Sequence, residues 1–363
     1  MMATGMVSHG RDLSPLPPAA TSKRKRPWWL SGTPVVTAVV VAAVFVVWPM
    51  LASGYWVQAS TSAAAFAMAA LGVSVLVGRV GLISLGQVAL VATGAWIALR
   101  LGYGTGLPFP VIVFLAGVGT GVVGLVIGLP SLWLSGLTFA VLTLMGAAAI
   151  TLVLTVISFP NGGGGLTGFA STGDSAPMLE RPMYADSDAD YFRLALVIAV
   201  LMFALVLIHL NSRAGRAWEA IRQSPAAAIG TGIDVVRYKL WAILLASFIA
   251  GVAGAVMAGA GGIRVTLFPV QDSIIIVAAV LMAGAFSLWG AIVAAVLMKF
   301  LGAAFTLLDV SSSLLLILFG AGIIQVLLQS PQGIVGQLQG VVARRRRRDR
   351  TADTGQAEGE QDA

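Results

Sequence analysis

The chain has 363 residues, 58% of them hydrophobic and only 10% charged, and its mean hydropathy is +0.93. Soluble domains carry about 25% charged residues, so a water-soluble globular fold is excluded. The net charge of +7 does not signal nucleic-acid binding, because no basic folded domain accompanies it.

A polar head, residues 1–32, has a disordered composition and ends in the basic run Lys23–Arg26. The apolar run 33–52 is about 20 residues, longer than a signal-peptide core of about 7–15, and reads as an uncleaved first span. Runs at 59–77, 80–101, 109–129 and 132–157 follow. Between residues 33 and 159 there is no Asp or Glu, and Arg79 and Arg100 are the only basic residues. That describes repeated membrane crossing rather than one buried core.

Segment 158–190 breaks the pattern with Pro, Gly and the acids Asp174, Glu180, Asp186, Asp188 and Asp190. Acidic and nearly free of Lys and Arg, it is expected outside the cell. Run 191–210 returns to a basic island, 211–239, which the positive-inside rule places in the cytoplasm. Run 240–259 leaves again, 273–308 is long enough to cross twice, and 311–328 is last. Arg344–Arg348 stand in a polar tail, 330–363, expected to be cytoplasmic like the head. The expected fold is an all-α integral membrane protein, a polytopic helical bundle of about 8 to 10 transmembrane helices with broken or re-entrant segments.

Two of the runs are broken in a similar way. "GLISLGQVALVATGA" (81–95) and "GAFSLWGAIVAAVL" (284–297) each place a Ser-Leu break within apolar sequence. Paired Gly-interrupted spans can line a transport pathway, and chance likeness in Gly/Ala-rich sequence remains open at this point. Hydroxyl and small residues of the broken segments are the pathway candidates: Ser84, Gly86, Gln87, Thr93, Ser135, Thr138 and Thr143.

No energy source is visible. The chain has no G-x-x-x-x-G-K-[ST] phosphate loop, and "NGGGGLTG" (161–168) lacks the lysine. Ion-coupled carriers use intramembrane carboxylates, yet Asp272 and Asp309 fall at span ends and only Lys299 lies well inside one. With no cysteine and two distant histidines, His9 and His209, there is no disulfide framework and no expected metal site.

The island reads as capped helices. Ala217, Trp218 and Ile221 share one face over 214–223, and Arg216, Glu219, Arg222 and Gln223 share the other. Ser224–Pro225 reads as a cap followed by the first residue of a second helix, Gly230 and Gly232 stop it, and Asp234 caps the next span. Two readings fit: a linker resting on anionic lipid headgroups, or a docking helix for a soluble partner.

The stretch "GRAWEAIRQSPAAAIGTGIDVVRYK" also resembles the signature loop of branched-chain amino acid ABC permeases of the LivM and LivH type. The matching positions are Gly215-Arg216-Ala217, Ala220-Ile221-Arg222, Ala227-Ala228, Gly232-Ile233 and Arg237-Tyr238-Lys239. "GRVGLISLGQVALVATGAW", "PNGGGGLTG" and "SPQGIVG" (330–336) resemble further family segments. Ala226 departs from the usual Glu of the docking element, and Gly290-Ala291 from a usual Gly-Pro.

The resemblance implies a non-catalytic permease subunit of an ABC importer in the cytoplasmic membrane. It implies a coupling loop comprising Arg213, Gly215, Arg216, Glu219, Ile221, Arg222, Ala227, Ala228, Gly232 and Arg237. Implied partners are two ABC ATPase subunits, which use the ATP and Mg, a second homologous permease, and an extracytoplasmic solute-binding protein meeting Asn161, Gly162 and Thr167. No cofactor bound by this chain is implied. The substrate would be a branched-chain or related small amino acid. The rival is a stand-alone channel or facilitator for a small polar solute such as urea.

Overall fold

A computed structural model describes residues 41–130, 136–157, 178–309 and a few positions between 314 and 324. The chain divides into a short unit, Met1–Trp48, and a main body, Pro49–Ala363. In the first unit, residues 41–48 are helical apart from a turn at Val47.

The main body is built from apolar helices. The first, α1 (Gly54–Ser74), runs on as a π-helical segment, Val75–Val80. After a non-helical stretch, 81–86, come α2 (Gln87–Thr105), α3 (Phe109–Gly128) and α4 (Leu137–Val156). Then follow α5 (Asp188–Asn211), two short helices α6 (Arg213–Gln223) and α7 (Pro225–Gly230), and α8 (Val235–Ala260). Helix α9 (Val270–Ala283) is separated by residues 284–287 from α10 (Leu288–Leu307).

Seven helices among the described residues are long and apolar enough to cross a membrane: α1 with its π segment, α2, α3, α4, α5, α8 and α10. The apolar helices Val41–Leu51 and Val270–Ala283 are shorter. Much of the expected run 311–328 lies outside the described residues, as do residues 33–40 of the first run. The fold is therefore an all-α polytopic membrane bundle with broken segments. Both breaks fall inside the runs that carry the Ser-Leu sequence.

Helices α1 and α8 form the core, while α5 and α10 are buried along little of their length. Without a hydrophobic drive between helices in lipid, close packing needs small residues at the contact. Here α8 lies along α2 and α3, so close that a Cβ on Gly94 would land on the Gly251 carbonyl. On the other side α10 packs along α1, where Trp56 and Phe300 stack at 5.8 Å and Tyr55 Oη donates to the Ala303 carbonyl at 3.1 Å.

Helix α5, 24 residues long, spans about 36 Å and separates an acidic end from a basic end. At the acidic end, Arg181 gathers the chain. Its Nε and Nη2 donate to the Gly259 and Ala260 carbonyls at 2.8 and 3.2 Å, and Nη1 pairs with Asp188 at 2.8 Å. These carbonyls end α8 and have no intrahelical donor, so a cation there satisfies them and suits the helix dipole.

Candidate functional site

At the basic end the chain folds as its local chemistry dictates. Ser212 caps α6 by accepting from the Ala214 N–H at 3.1 Å, and Ser224 caps α7 by accepting from Ala227 N–H at 3.2 Å. Pro225 opens α7 at a position where its missing N–H costs nothing. Gly232, with φ +81°, reverses the chain, and Asp234 caps α8 through the Arg237 N–H at 3.1 Å. A Cβ on Gly215 would strike the Leu210 carbonyl, so glycine there lets α6 turn tightly off the end of α5.

The island is anchored by its apolar face. Ala217, Trp218, Ile221 and Ala228 are buried. Trp218 is fully enclosed, donates its Nε1–H to the Tyr238 carbonyl at 2.8 Å, and stacks beside His209. Arg213, Arg216, Glu219, Ala227, Gly232 and Arg237 are exposed, as is Ile229. The expected docking set therefore divides: Ile221 and Ala228 hold the island to the bundle, and the exposed members form its free face. Arg222 is exposed too, as expected, but its head group also reaches back to the bundle. Its Nη1 donates inward to the Gly78 carbonyl at 3.3 Å, and its guanidinium lies 4.7 Å from the Phe286 ring centroid.

Inside the bundle, a cavity of about 20 Å³ lies where the 81–86 break meets α1, α3, α4 and α8, room for roughly one water. Ser84, Gly86, Thr143 and Ser247 line it together with Leu76, Leu90, Phe139 and Ile243. Thr143 fixes the break, because its Oγ1 accepts from the Leu85 N–H at 2.9 Å and donates to the Ala140 carbonyl at 2.9 Å. Ser84 and Ser247 are both buried.

Of the expected pathway residues, then, Ser84, Gly86 and Thr143 converge on one cavity. Gln87 is fully buried beside it, its Nε2 donating to the Ala246 carbonyl at 3.3 Å while Oε1 has no partner. Thr93 turns its hydroxyl back to the Ala89 carbonyl at 2.9 Å and does not line the cavity. Thr138 is exposed in the first turn of α4 and does not line the cavity. Ser135, Asn161, Gly162 and Thr167 lie outside the described residues. Ser247 was not among the expected residues. It sits in a helix apolar on every side, where no periodicity marks which face meets a cavity. Among the described residues no group of three or more His, Cys, Asp or Glu could hold a metal ion.

Residues 55–327 match the family described as the branched-chain amino acid transport system permease component. The chain is 29% identical over 272 residues to the high-affinity branched-chain amino acid transport system permease protein LivM of Salmonella typhimurium, covering 70% of this chain and 64% of that protein. It is 28% identical over 279 residues to the protein of the same name from Escherichia coli, covering 72% of this chain and 66% of that one. It thus spans just under two thirds of the length of these curated relatives. No solved structure gives a significant match. With a match over most of its length and a bundle of membrane-spanning helices broken at the expected places, this chain belongs to the branched-chain amino acid transport system permease family.

Proposed function

We propose that the chain is a membrane permease subunit of an ABC importer that moves branched-chain or related small amino acids into the cell. The observation that carries this reading is the island. Two capped helices are clamped to the bundle through Trp218 and Ile221, while Arg213, Arg216, Glu219 and Ile229 stay free. A lipid anchor would turn its apolar face to the membrane surface; here that face is used up against the protein itself. The exposed mixed face suits a groove on an ATPase subunit.

On this reading two ATPase subunits use ATP and Mg, and this chain binds no cofactor. A second homologous permease completes the membrane part, and an extracytoplasmic binding protein delivers solute at the acidic end. The solute route passes the cavity at Ser84, Thr143 and Ser247. No charged side chain lines that cavity, which suits a solute of zero net charge with an aliphatic body.

The test is uptake of radiolabelled leucine into proteoliposomes holding the whole complex. Uptake that requires both enclosed ATP and the binding protein supports the importer. Uptake by this chain alone, without ATP, would instead establish a facilitator.

A further inference from the structure

Both interrupted spans meet the island at one side chain. Arg222 stands in the last turn of α6. Its Nη1 donates to the carbonyl of Gly78, within the π-helical end of α1, and its guanidinium lies over the ring of Phe286, within the 284–287 break. Its stem passes Gly81, where an added Cβ would come within 3.2 Å of Arg222 Cγ.

The two breaks are also joined to each other. Arg79 Nη2 donates to the Phe286 carbonyl at 3.1 Å, and Ser74 Oγ to the Ala285 carbonyl at 2.8 Å. A Cβ on Gly78 would overlap the Ala285 carbonyl, so the segments touch backbone to backbone. The Gly81 and Leu82 N–H groups both return to the Leu76 carbonyl. The helical ladder ends there, and the Gly78 carbonyl takes its donor from outside the helix. A cation at that C-terminal end is favoured by the dipole, and only a planar guanidinium can stack on a ring and donate in its plane at once.

We infer that Arg222, exposed yet tied through its guanidinium to Gly78 and Phe286, is the positioning residue that carries movement of the island into both interrupted spans, and that it acts through these contacts rather than as a contact to the ATPase. The inference rests on the docking reading above. A shift of α6 pulls on Gly78 and Phe286 through these two contacts. Residues 81–86 follow directly from Gly78 in the chain, and they bring Ser84 and Gly86 to the cavity wall. The π-helical segment lies at this junction, and such segments occur frequently at functional sites.

The experiment compares Arg222→Ala, Arg222→Lys, Phe286→Leu and the Arg222→Ala/Phe286→Leu double variant with Arg216→Glu, in the reconstituted complex. For each, the bound ATPase subunits, the ATP hydrolysis rate and the leucine moved per ATP are measured. Arg222→Ala is expected to retain the ATPases and hydrolysis but to move roughly tenfold less leucine per ATP or worse, since a single charge-assisted hydrogen bond is worth about that factor. Arg222→Lys should recover part of the ratio. The double variant should be no worse than Arg222→Ala, because both changes break one connection.

Loss of the ATPases in Arg222→Ala, as expected for Arg216→Glu, would overturn the inference. So would full coupled transport, or uptake and hydrolysis falling together at constant ratio. A wild-type complex that keeps its ATPases but moves no leucine on ATP would defeat the amino-acid reading and leave the hydrolysis rates to be scored for uncoupling against the solute that it does move.

Discussion

Trp218 donates its indole N–H to the carbonyl of Tyr238 at 2.8 Å, bridging the island's first helix to the first turn of α8. The contact shuts the loop on itself, so α6 and α7 are held as one unit against the bundle. Trp218→Ala removes a fully buried aromatic and should cost about 3–5 kcal/mol, read as a lower melting temperature in detergent. Trp218→Phe keeps an aromatic ring but leaves a smaller cavity and loses the hydrogen bond, so it should cost more than about 1 kcal/mol and less than Trp218→Ala. Equal melting temperatures for the two variants would show that the indole N–H and ring size carry no weight there.

The free face makes a separate prediction. Arg216 and Glu219 are exposed on α6, so Arg216→Glu should leave folding and membrane insertion intact. Recovery of the ATPase subunits with the tagged chain should fall roughly tenfold or more, since like charge placed in an interface opposes docking by more than about 1 kcal/mol. Unchanged recovery would remove Arg216 from the docking surface.

The buried hydroxyls of the cavity wall make a third. Ser247→Ala and Ser84→Ala each remove one small hydroxyl from the cavity wall, so stability should change by no more than about 1 kcal/mol. Leucine uptake should nevertheless fall severalfold if these hydroxyls meet the passing solute, with ATPase recovery unchanged. Ser247→Leu is a harsher probe. Ser247 Oγ already occupies the space a Gly124 side chain would need, and a leucine there should block the cavity. Full uptake in all three variants would move the route elsewhere.

The orientation is tested by labelling, and the absence of native cysteine makes the assay clean. Met183, at 99% exposure, stands at the acidic end, and Ile229, at 63%, on α7. Met183→Cys should react with an impermeant thiol reagent in intact cells, and Ile229→Cys only after permeabilisation. The reverse pattern would invert the chain in the membrane.

How far the sequence foretold all this depends on how local the cause is. The caps at Ser224 and Asp234 were readable because a cap needs only its own next three residues. Phe109–Gly128 was readable because membrane-length apolar runs are set by bilayer thickness. The break at 284–287 was visible through the excess length of its run. By contrast, nothing near Arg222 in sequence announces its contacts to Gly78 and Phe286, because both partners lie far along the chain, one in each direction. The π-helical segment Val75–Val80 is equally silent, because nothing in the sequence VLVGRV sets a π-helix apart from an α-helix. Arg181 sits in a loop marked mainly by its acids, yet it closes α8 through Gly259 and Ala260. An arginine from a distant segment thus takes the orphan carbonyls of a helix end at both ends of the molecule, and in both cases spatial neighbours rather than sequence pattern decide the role.

The most direct measurement is the composition of the complex that the tagged chain forms, isolated in mild detergent and weighed intact by native mass spectrometry. A particle holding two ATPase subunits and two permease subunits is the predicted result. A chain recovered alone, stable and without ATPases, would contradict the importer account and leave the island without an engine to grip.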